Sequence, residues 1–300
     1  MKLIDLYEKF KVGRIVKDAE FSVFDKIDNL IQDKSVVFLN QKQYISKIDN
    51  KLISSILCSN DVYEQLESTF DGGIWVVDNP KDIFYQCHEY LVSTDFYNKP
   101  FENLISSSAK ISPKAIISEH SVIIESGCVI EDNVIIKAFT KIGKNSIIRS
   151  NSDIGSDGFE VTRIDDRLKV VKHGGEIVIG ENVEIQSLIT ISRGLFPTRN
   201  TIIDDNVKIA DMVHIAHGVQ IGKDTMIAAG VTISGNVSIG RNVWIGPGAI
   251  ISNRLKIGDY SDISIGAVVV RNVKKSEKIT GNLAINHKKY LKFIIKNKLI

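Results

Sequence analysis

The chain has 300 residues, of which 43% are hydrophobic and 25% are charged, a composition typical of a globular protein with an ample core. Its formal net charge of +2 gives no reason to expect nucleic acid or another polyanion as a partner. The opening MKLIDLYEKFKVG carries acidic residues and lacks a long apolar run, so we expect neither a signal peptide nor an integral membrane segment.

The three cysteines are odd in number and irregular in spacing. We expect Cys58, Cys87 and Cys128 to be buried free thiols, which favours a reducing, cytoplasmic location.

Residues 1–105 are predicted to form a small α/β domain. Apolar residues at helical spacing predict helices, and runs of β-branched and aromatic residues predict strands. In chain order the predictions are a short helix carrying Leu3, Leu6 and Phe10, the strands Ser35–Leu39 and Ile74–Val77, and a helix over Lys81–Ser93 that follows Pro80.

From Ile124 to Val269 an isoleucine or valine recurs every sixth residue, apart from two interruptions. A helix repeats near 3.6 residues and a strand near 2, so a period of six instead predicts a hexapeptide-repeat parallel β-helix. Three repeats make one coil, which gives about seven coils with isoleucine filling the interior. The predicted fold class is therefore mainly β, with the parallel β-helix over residues 106–275.

Residues 276–300 contain the run HKKYLKFIIKNKLI, which has helical spacing. We expect a short C-terminal helix that caps the last coil, because an open coil presents unpaired strand edges. The alternative is that its lysines contact a membrane surface.

Two segments interrupt the repeats, GSDGFEVTRIDDRLKVVKHGGEIV after Ile154 and SRGLFPTRNTI after Ile191. The first alternates as a hairpin does around Asp165 and Asp166. Loops that leave a regular solenoid are where binding residues collect, so both segments are candidate site elements. The alternative is a neutral insertion.

His217 is the candidate catalytic residue. It lies two residues after Ile215 and is predicted to occupy an outward corner, with Gly235, Asn253 and Arg271 following it along the same edge at intervals of one coil. An imidazole titrates near neutrality and can act as a general base. A glycine beside it would open main-chain amides to an acyl donor that lies along the groove. The alternative is a solvated surface histidine.

A metal site is a third interpretation, because His173 and His214 are ligand types too. Nothing in their spacing brings them together with His217, so no metal is predicted.

Four stretches carry a family resemblance: FLNQKQY at 38–44, VVDNP at 76–80, GSDGF at 155–159 and IAH at 215–217. On these residues the chain resembles hexapeptide-repeat acyltransferases, in particular UDP-3-O-acylglucosamine N-acyltransferase and related nucleotide-sugar N-acyltransferases. The resemblance implies a left-handed coil, a homotrimer with sites between subunits, and His217 as the base.

The resemblance also implies a nucleotide-sugar site. Phe38 and Tyr44 stand where the family has an aromatic pair that grips uracil, although ordinary core packing is the alternative for both. Gln41 replaces a usual asparagine beside them. The sugar is predicted to bind between the N-terminal domain and the coils, near Asp157, Phe159 and His173.

UDP-3-O-acylglucosamine N-acyltransferase acts in lipid A synthesis. Several residues of this chain differ from the pattern of that enzyme and weaken the assignment to it. Ser192 stands where the family usually has aspartate, and Arg254 stands where the lipid A enzymes have a second histidine. The C-terminal tail is shorter than the one those enzymes use for acyl carrier protein. The run Gly281–Ala284 (GNLA) resembles the Gly-Asn-Pro-Ala signature of coenzyme A-dependent sugar acetyltransferases. A short acyl-CoA is therefore the predicted donor, with an acyl carrier protein thioester as the alternative.

Together these features predict an N-acyltransferase that acts on a UDP- or dTDP-linked amino sugar for surface glycan or lipopolysaccharide synthesis. Backbone amides near Gly235 would stabilise the oxyanion, and Asp157 or Asp211 would orient the imidazole. The rival hypothesis is a non-catalytic trimeric carbohydrate-binding scaffold. The N-terminal domain disfavours this rival, because a pure scaffold has little use for a domain that carries aromatic residues.

Overall fold

The computed structural model describes residues 1–49, 51–164, 167–281 and 286–297. Its N-terminal domain is a five-stranded sheet in the order β1-β5-β4-β3-β2, in which β1 is antiparallel to β5 and the other pairs are parallel. The helices and strands are α1 Leu3–Phe10, β1 Arg14–Lys17, β2 Val23–Phe24, β3 Ser35–Leu39, β4 Ile53–Cys58, α2 Asn60–Leu66, β5 Gly73–Val76 and α3 Pro80–Val92, with 3-10 turns at Ile27–Asn29 and Lys42–Lys47.

The two helices and two strands expected in this domain are confirmed, with end points that differ by no more than one residue. Pro80 occupies the first turn of α3, where its missing N–H costs no hydrogen bond. The sheet buries two apolar clusters, one on each side, and the cluster under α3 holds Phe24, Trp75 and Phe84. That cluster lies against the coil and so fixes the domain on it.

The rest of the chain is a left-handed parallel β-helix, as predicted. Its three faces are parallel sheets in which each strand pairs with the strand one coil away. The first face contains Leu104–Ile105, Val122–Ile124, Thr140–Ile142, Ile177–Ile179, Thr201–Ile203, Gln220–Ile221, Ser238–Ile239 and Lys256–Ile257. The second contains Lys110–Ile111, Val129–Ile130, Ile147–Ile148, Glu184–Ile185, Lys208–Ile209, Met226–Ile227, Trp244–Ile245, Asp262–Ile263 and Lys278–Ile279. The third contains Ile116–Ile117, Ile135–Ile136, Asp153–Ser156, Thr190–Ser192, His214–Ile215, Thr232–Ile233, Ile250–Ile251 and Val268–Val269.

The sixth-residue isoleucines point into the coil and form one continuous buried cluster, as predicted. The repeats turn at their corners through residues in the left-handed backbone region. Asparagine often fills this position, with φ from 54° to 63° at residues such as Asn133, Asn206 and Asn236. Asparagine tolerates this region better than other residues that carry a Cβ atom. The repeat therefore often places asparagine where the backbone must turn.

The coil is longer than predicted at both ends. Its strands begin at Leu104 and end at Ile279, and the nine-, eight- and eight-stranded faces make more than the expected seven coils. The early coils escaped the sequence pattern because Ile117 and Ile124 are seven residues apart instead of six. Ser121, with φ of 62°, lies within that longer spacing.

Both interruptions of the repeat leave the coil and contact the N-terminal domain. The first forms an antiparallel hairpin of Val161–Ile164 with Arg167–Val170, and its predicted turn at Asp165 and Asp166 lies outside the described residues. The second buries Leu195 and Phe196 in the cluster under α3. The hairpin and this loop therefore form the seat on which the domain rests.

Helix α4, His287–Lys296, follows the last strand. Its side chains are exposed wherever the structure describes them, so they give no sign of the predicted cap on the last coil. Within the described residues, no helix is long and apolar enough to cross a membrane. Cys58, Cys87 and Cys128 are free and buried, as predicted.

Candidate active site at a corner of the coil

His217 lies at the corner between the third and first faces, two residues after the buried Ile215. The predicted stacking along this edge is present. Asn236 donates its backbone N–H to the His217 carbonyl oxygen at 2.8 Å, and Arg254 donates in the same way to Gly235 at 3.0 Å. The edge is therefore a regular row with one coil between successive residues.

The imidazole of His217 points outward from the coil but is covered, with only 8% of the residue exposed. It packs against Gly235, where a Cβ atom would lie 2.6 Å from Nε2. On the other side is Gly158 of the hairpin segment, where a Cβ atom would lie 3.0 Å from Nδ1. Two glycines thus make the slot that admits the ring.

His173 is the nearest aromatic neighbour of His217, with ring centroids 5.3 Å apart in an edge-to-face arrangement. Its Nε2 accepts the Gly158 N–H at 3.2 Å, and its Nδ1 lies 3.0 Å from the Val171 carbonyl oxygen. These contacts fit a neutral ring with its hydrogen on Nδ1. Burial lowers the pKa of His173 and favours this neutral form.

Glu160, from the hairpin segment, is the carboxylate that faces the imidazole. Its Oε2 lies 3.8 Å from His217 Nε2. Its Oε1 accepts hydrogen bonds from Lys26 Nζ at 2.6 Å and from the Tyr85 hydroxyl at 3.0 Å. The N-terminal domain therefore reaches the imidazole through these two donors.

Burial sets the electrostatics of the site. It lowers the pKa of His217 to about 4, with a further lowering by His173 that outweighs the opposite effect of Glu160. Burial also acts against the charged form of Glu160, but Lys26, the Tyr85 hydrogen bond and His217 together hold the pKa of that carboxyl below its usual value. At neutral pH the site thus contains a neutral imidazole beside a carboxylate.

The Nδ1 atom of His217 is buried and has no hydrogen-bond partner in the described part of the chain. Nε2 faces Glu160 at a distance too long for a hydrogen bond. Nε2 is therefore the nitrogen that can exchange a proton with a bound molecule.

A cleft between the domain and the coil adjoins this corner. It is lined by Asp25, Lys26, Leu195, Phe196, Arg199, Asn236 and Arg254. Three of these side chains are cations and one is an acid, Asp25, whose carboxylate accepts the Thr198 hydroxyl at 2.7 Å. Burial raises the pKa of Asp25 to about 6. The cleft therefore favours an anionic ligand.

The three residues predicted to bind the acyl donor lie along the same edge of the coil as His217, as expected. Gly235 is buried beside His217, and its backbone N–H donates to no acceptor among the described residues. Asn253 and Arg271 are exposed one and two coils further on, as the pairing of Ile251 with Val269 requires.

The residues predicted to bind the nucleotide sugar do not all lie close to one another. Phe38 packs on Phe84 at 4.9 Å and on Tyr85 at 6.2 Å between ring centroids, which brings it within one residue of Glu160. Tyr44 packs against the cluster on the other side of the sheet, with the Lys47 ammonium 5.0 Å from its ring centroid. The structure does not bring these two rings together.

The remaining predicted contacts are mostly exposed. Gln41 is exposed and accepts a hydrogen bond from Gln43 at 2.7 Å. Asp157 is exposed, and its carboxylate accepts the His173 backbone N–H at 3.4 Å. Phe159 projects into solvent with 86% of its surface exposed.

The expectation that Asp157 or Asp211 orients the imidazole is wrong. Asp211 accepts the Ser187 N–H at 3.0 Å, and Asp157 contacts His173. Glu160 is the carboxylate that faces the imidazole, without a hydrogen bond to it, and its position directly after the matched GSDGF stretch was the available signal in the sequence. For Lys26 and Tyr85 the sequence contains no such signal, because they lie near His217 only in the folded structure.

His214 is on the outer surface of the third face, where its Nδ1 lies 2.7 Å from the Thr190 hydroxyl. It is not part of the corner site. In the chain as described, no group of three His, Cys, Asp or Glu side chains is placed to hold a metal ion.

Comparisons with known proteins confirm the predicted resemblance to hexapeptide-repeat acyltransferases. Residues 200–235 match the family model of the bacterial transferase hexapeptide (six repeats). UDP-3-O-acylglucosamine N-acyltransferase of Coxiella burnetii (strain RSA 493 / Nine Mile phase I) is 46% identical over 99 residues, covering 32% of this chain and 28% of that protein. UDP-3-O-acylglucosamine N-acyltransferase 2 of Legionella pneumophila is 37% identical over 163 residues, covering 52% and 47%.

Among solved structures, LpxA from Acinetobacter baumannii is similar with a TM-score of 0.44 and 25% identity, over 63% of this chain and 77% of that one. The matches to the two curated relatives span between about a quarter and a half of the relatives' own length.

Proposed function

We propose that this protein is an N-acyltransferase that moves an acyl group from a thioester to the amine of a nucleotide-linked amino sugar. The observation that carries the proposal is a neutral imidazole held between two glycines at a coil corner, beside a cleft lined by Lys26, Arg199 and Arg254. The names of the relatives, UDP-3-O-acylglucosamine N-acyltransferases, support the same reaction class.

In the proposed reaction, His217 acts as the general base. The amine lone pair attacks the thioester carbonyl carbon to form a C–N bond, and one amine proton passes to His217 Nε2. The backbone N–H of Gly235 stabilises the oxyanion. As the intermediate collapses, the C–S bond breaks and His217 returns the proton to the departing thiolate, so the base is regenerated.

The charged cleft is the proposed site of the nucleotide diphosphate. Lys26, Arg199 and Arg254 supply three cations where the domain meets the coil, and guanidinium groups suit bidentate contacts with phosphate. The sugar then extends toward His217 past His173, Asp157 and Phe159. Phe38, which packs on Tyr85 next to Glu160, is placed for the base-binding role better than Tyr44 or Gln41.

The acyl donor is proposed to lie along the edge from Gly235 past Asn253 to Arg271. Coenzyme A is the proposed carrier because the edge ends in an exposed arginine that can pair with a phosphate. Of the GNLA signature that also favoured coenzyme A, residues 282–284 lie outside the described residues. The alternative donor is an acyl carrier protein, which the exposed lysines of α4 favour as a docking surface for an acidic partner.

A homotrimer is proposed from the resemblance, and the outer surface of the coil supports self-association. The corner between the second and third faces carries the exposed apolar side chains of Leu188, Met212 and Ile265. At Gly248 and Gly266 on the same corner, none of the described residues beyond their chain neighbours lies within 4 Å of an added Cβ atom. A cytoplasmic role in surface glycan or lipopolysaccharide synthesis completes the proposal.

The test is thiol release from acetyl-CoA and from an acyl carrier protein thioester, each mixed with a panel of UDP- and dTDP-linked amino sugars. Mass spectrometry of the products identifies the acylated sugar. We expect amide formation with at least one pair and a higher kcat/KM with acetyl-CoA. If sugars bind but no pair releases thiol, the proposal is wrong and the carbohydrate-binding scaffold is favoured.

A further inference from the structure

Glu160 has one carboxylate oxygen fixed and one free. Oε1 is occupied by Lys26 and Tyr85, which approach from the N-terminal domain. Oε2 has no hydrogen-bond donor in the described part of the chain and faces His217 Nε2 at 3.8 Å. Because the side chain is largely buried and Oε1 is hydrogen-bonded, the position of Oε2 is fixed. Oε2 can therefore accept a hydrogen bond from a bound ligand.

The distance between Oε2 and Nε2 suits one nitrogen atom that donates a hydrogen bond to each of them. In the tautomer that carries its hydrogen on Nδ1, which is buried and has no partner among the described residues, His217 presents a lone pair at Nε2, so both atoms that border the gap are acceptors. A nitrogen atom about 2.9 Å from each of two acceptors that are 3.8 Å apart makes two hydrogen bonds of ordinary length. A primary amine has two hydrogens for these acceptors and keeps its lone pair for attack.

We propose that Glu160 is a specificity-determining residue, which together with His217 accepts the two hydrogens of a primary amine and so selects an amine over a hydroxyl group as the acyl acceptor. This inference rests on the proposed function. One hydrogen passes to His217 Nε2 as the C–N bond forms. The other stays on the nitrogen, donated to Glu160, and remains in the amide product.

A hydroxyl group fits this site poorly for a simple reason. It has one hydrogen, so binding it leaves either the imidazole or the carboxylate desolvated and without a donor. A buried acceptor left unpaired is costly, and sites built to pair with a substrate group reject analogues that lack it. The carboxylate also stabilises the positive charge that develops on an attacking amine nitrogen.

The substitution Glu160→Gln tests this arrangement with little change of shape. Lys26 and Tyr85 both donate to the Oε1 position, so the glutamine oxygen takes that place and its NH2 group turns toward His217. A donor then replaces the free acceptor. A hydroxyl group can accept that hydrogen bond and still give its hydrogen to His217, whereas an amine would have to use the lone pair it needs for attack.

The measurement is the ratio of kcat/KM for two acceptors with acetyl-CoA as donor. One is the nucleotide amino sugar selected by the thiol-release panel, and the other is the nucleotide sugar with a hydroxyl group on the same carbon. We expect Glu160→Gln to lower the amine-to-hydroxyl ratio by about 100-fold. Glu160→Ala, which removes the acceptor without adding a donor, should lower it by about 10-fold.

Glu89→Gln is the matched control. Glu89 also joins the N-terminal domain to the hairpin through an ion pair, with Lys169, but it has no contact with His217. Its variant should keep the wild-type ratio, which separates the chemistry of Glu160 from a general loosening of the hairpin. Circular dichroism checks that all variants are folded.

Two results would overturn the inference in different ways. If the wild-type protein acylates the amine and both Glu160 variants keep its acceptor ratio within about twofold, Glu160 does not select the acceptor, although the proposed function stands. If the wild-type protein acylates no acceptor, the proposed function fails and the inference falls with it.

Discussion

The coil and the elements docked on it divide the work of this molecule. The coil repeats one solution many times, with isoleucine inside and a tight corner between faces. The hairpin, the 194–200 loop and the N-terminal domain occur once, and they cover one corner only. His217 differs from other corner residues because these unique elements bury it and place Glu160, Lys26 and Tyr85 around it. The repeated coils form the scaffold, and the segments that do not follow the repeat form most of the site.

The sharpest test of this division is to change the corner and the interior separately. His217→Ala removes the proposed base and should lower kcat about 10³-fold, because a positioned general base contributes on this scale. The midpoint of thermal unfolding should hardly change. Thiol release and differential scanning calorimetry measure the two quantities.

Ile215→Ala, only two residues away, is the interior control. Ile215 is fully buried, so the cavity should cost about 3 kcal/mol of unfolding free energy while the folded protein keeps its activity. If the two variants had the same profile of activity and stability, the division between scaffold and site would not hold.

A smaller effect is expected when the slot for the imidazole is filled. Gly235→Ala places a Cβ atom 2.6 Å from His217 Nε2, so the ring must move. We expect a loss of about 100-fold in kcat/KM, since a displacement of about 1 Å from the reactive geometry has this effect.

Gly248→Ala provides the comparison on another corner. Its φ of 66° disfavours alanine by about 1 kcal/mol, but among the described residues no atom beyond its chain neighbours lies within 4 Å of the new Cβ. It should therefore lower stability and leave kcat/KM unchanged, provided that size-exclusion chromatography shows the oligomeric state of the wild-type protein, because Gly248 lies on the proposed subunit interface. Equal losses of activity in both variants would show that any corner substitution disturbs the enzyme.

A change in the cleft should affect binding more than chemistry. Arg254→Ala removes a cation from the cleft next to Asp28, and we expect KM for the nucleotide sugar to rise about 10-fold with little change in kcat. Arg241→Ala is the control, because Arg241 is also an exposed arginine of the coil but pairs with Asp259 away from the cleft. A rise in KM for Arg241→Ala of similar size would argue against the cleft as the diphosphate site.

The smallest expected effect is a shift in the pH profile. Burial lowers the pKa of His217 to about 4, so the base stays neutral and active as the pH falls through the ordinary histidine range near 6.5. Activity should be lost only as the pH approaches 4, where protonation removes the lone pair. A profile of kcat/KM measured between pH 4 and 8, with circular dichroism at each point, checks this. Asp25 in the cleft has a pKa raised to about 6, so the profile is also measured for Asp25→Asn. An acidic limb centred near 6.5 that persists in that variant would mean that His217 is solvated in the working enzyme.

The sequence predicted the coil better than it predicted the site, for a physical reason. A period of six is a local property, so Ile215 and its equivalents could be placed without any knowledge of distant residues. His217 and Gly235 could be paired because the coil fixes a distance of one turn between them. Glu160 comes from an insertion without a period, and Lys26 and Tyr85 come from a separate domain, so only tertiary packing unites them. The extra residue between Ile117 and Ile124 shows how one insertion hides a repeat.

A crystal structure of the protein with coenzyme A and the amino sugar that the assay selects would show directly whether His217 acts as the base. We expect the amine nitrogen within about 3.2 Å of His217 Nε2, with the diphosphate in the cleft beside Lys26, Arg199 and Arg254. A sugar bound elsewhere on the coil, with its amine out of reach of that imidazole, would contradict this role of His217.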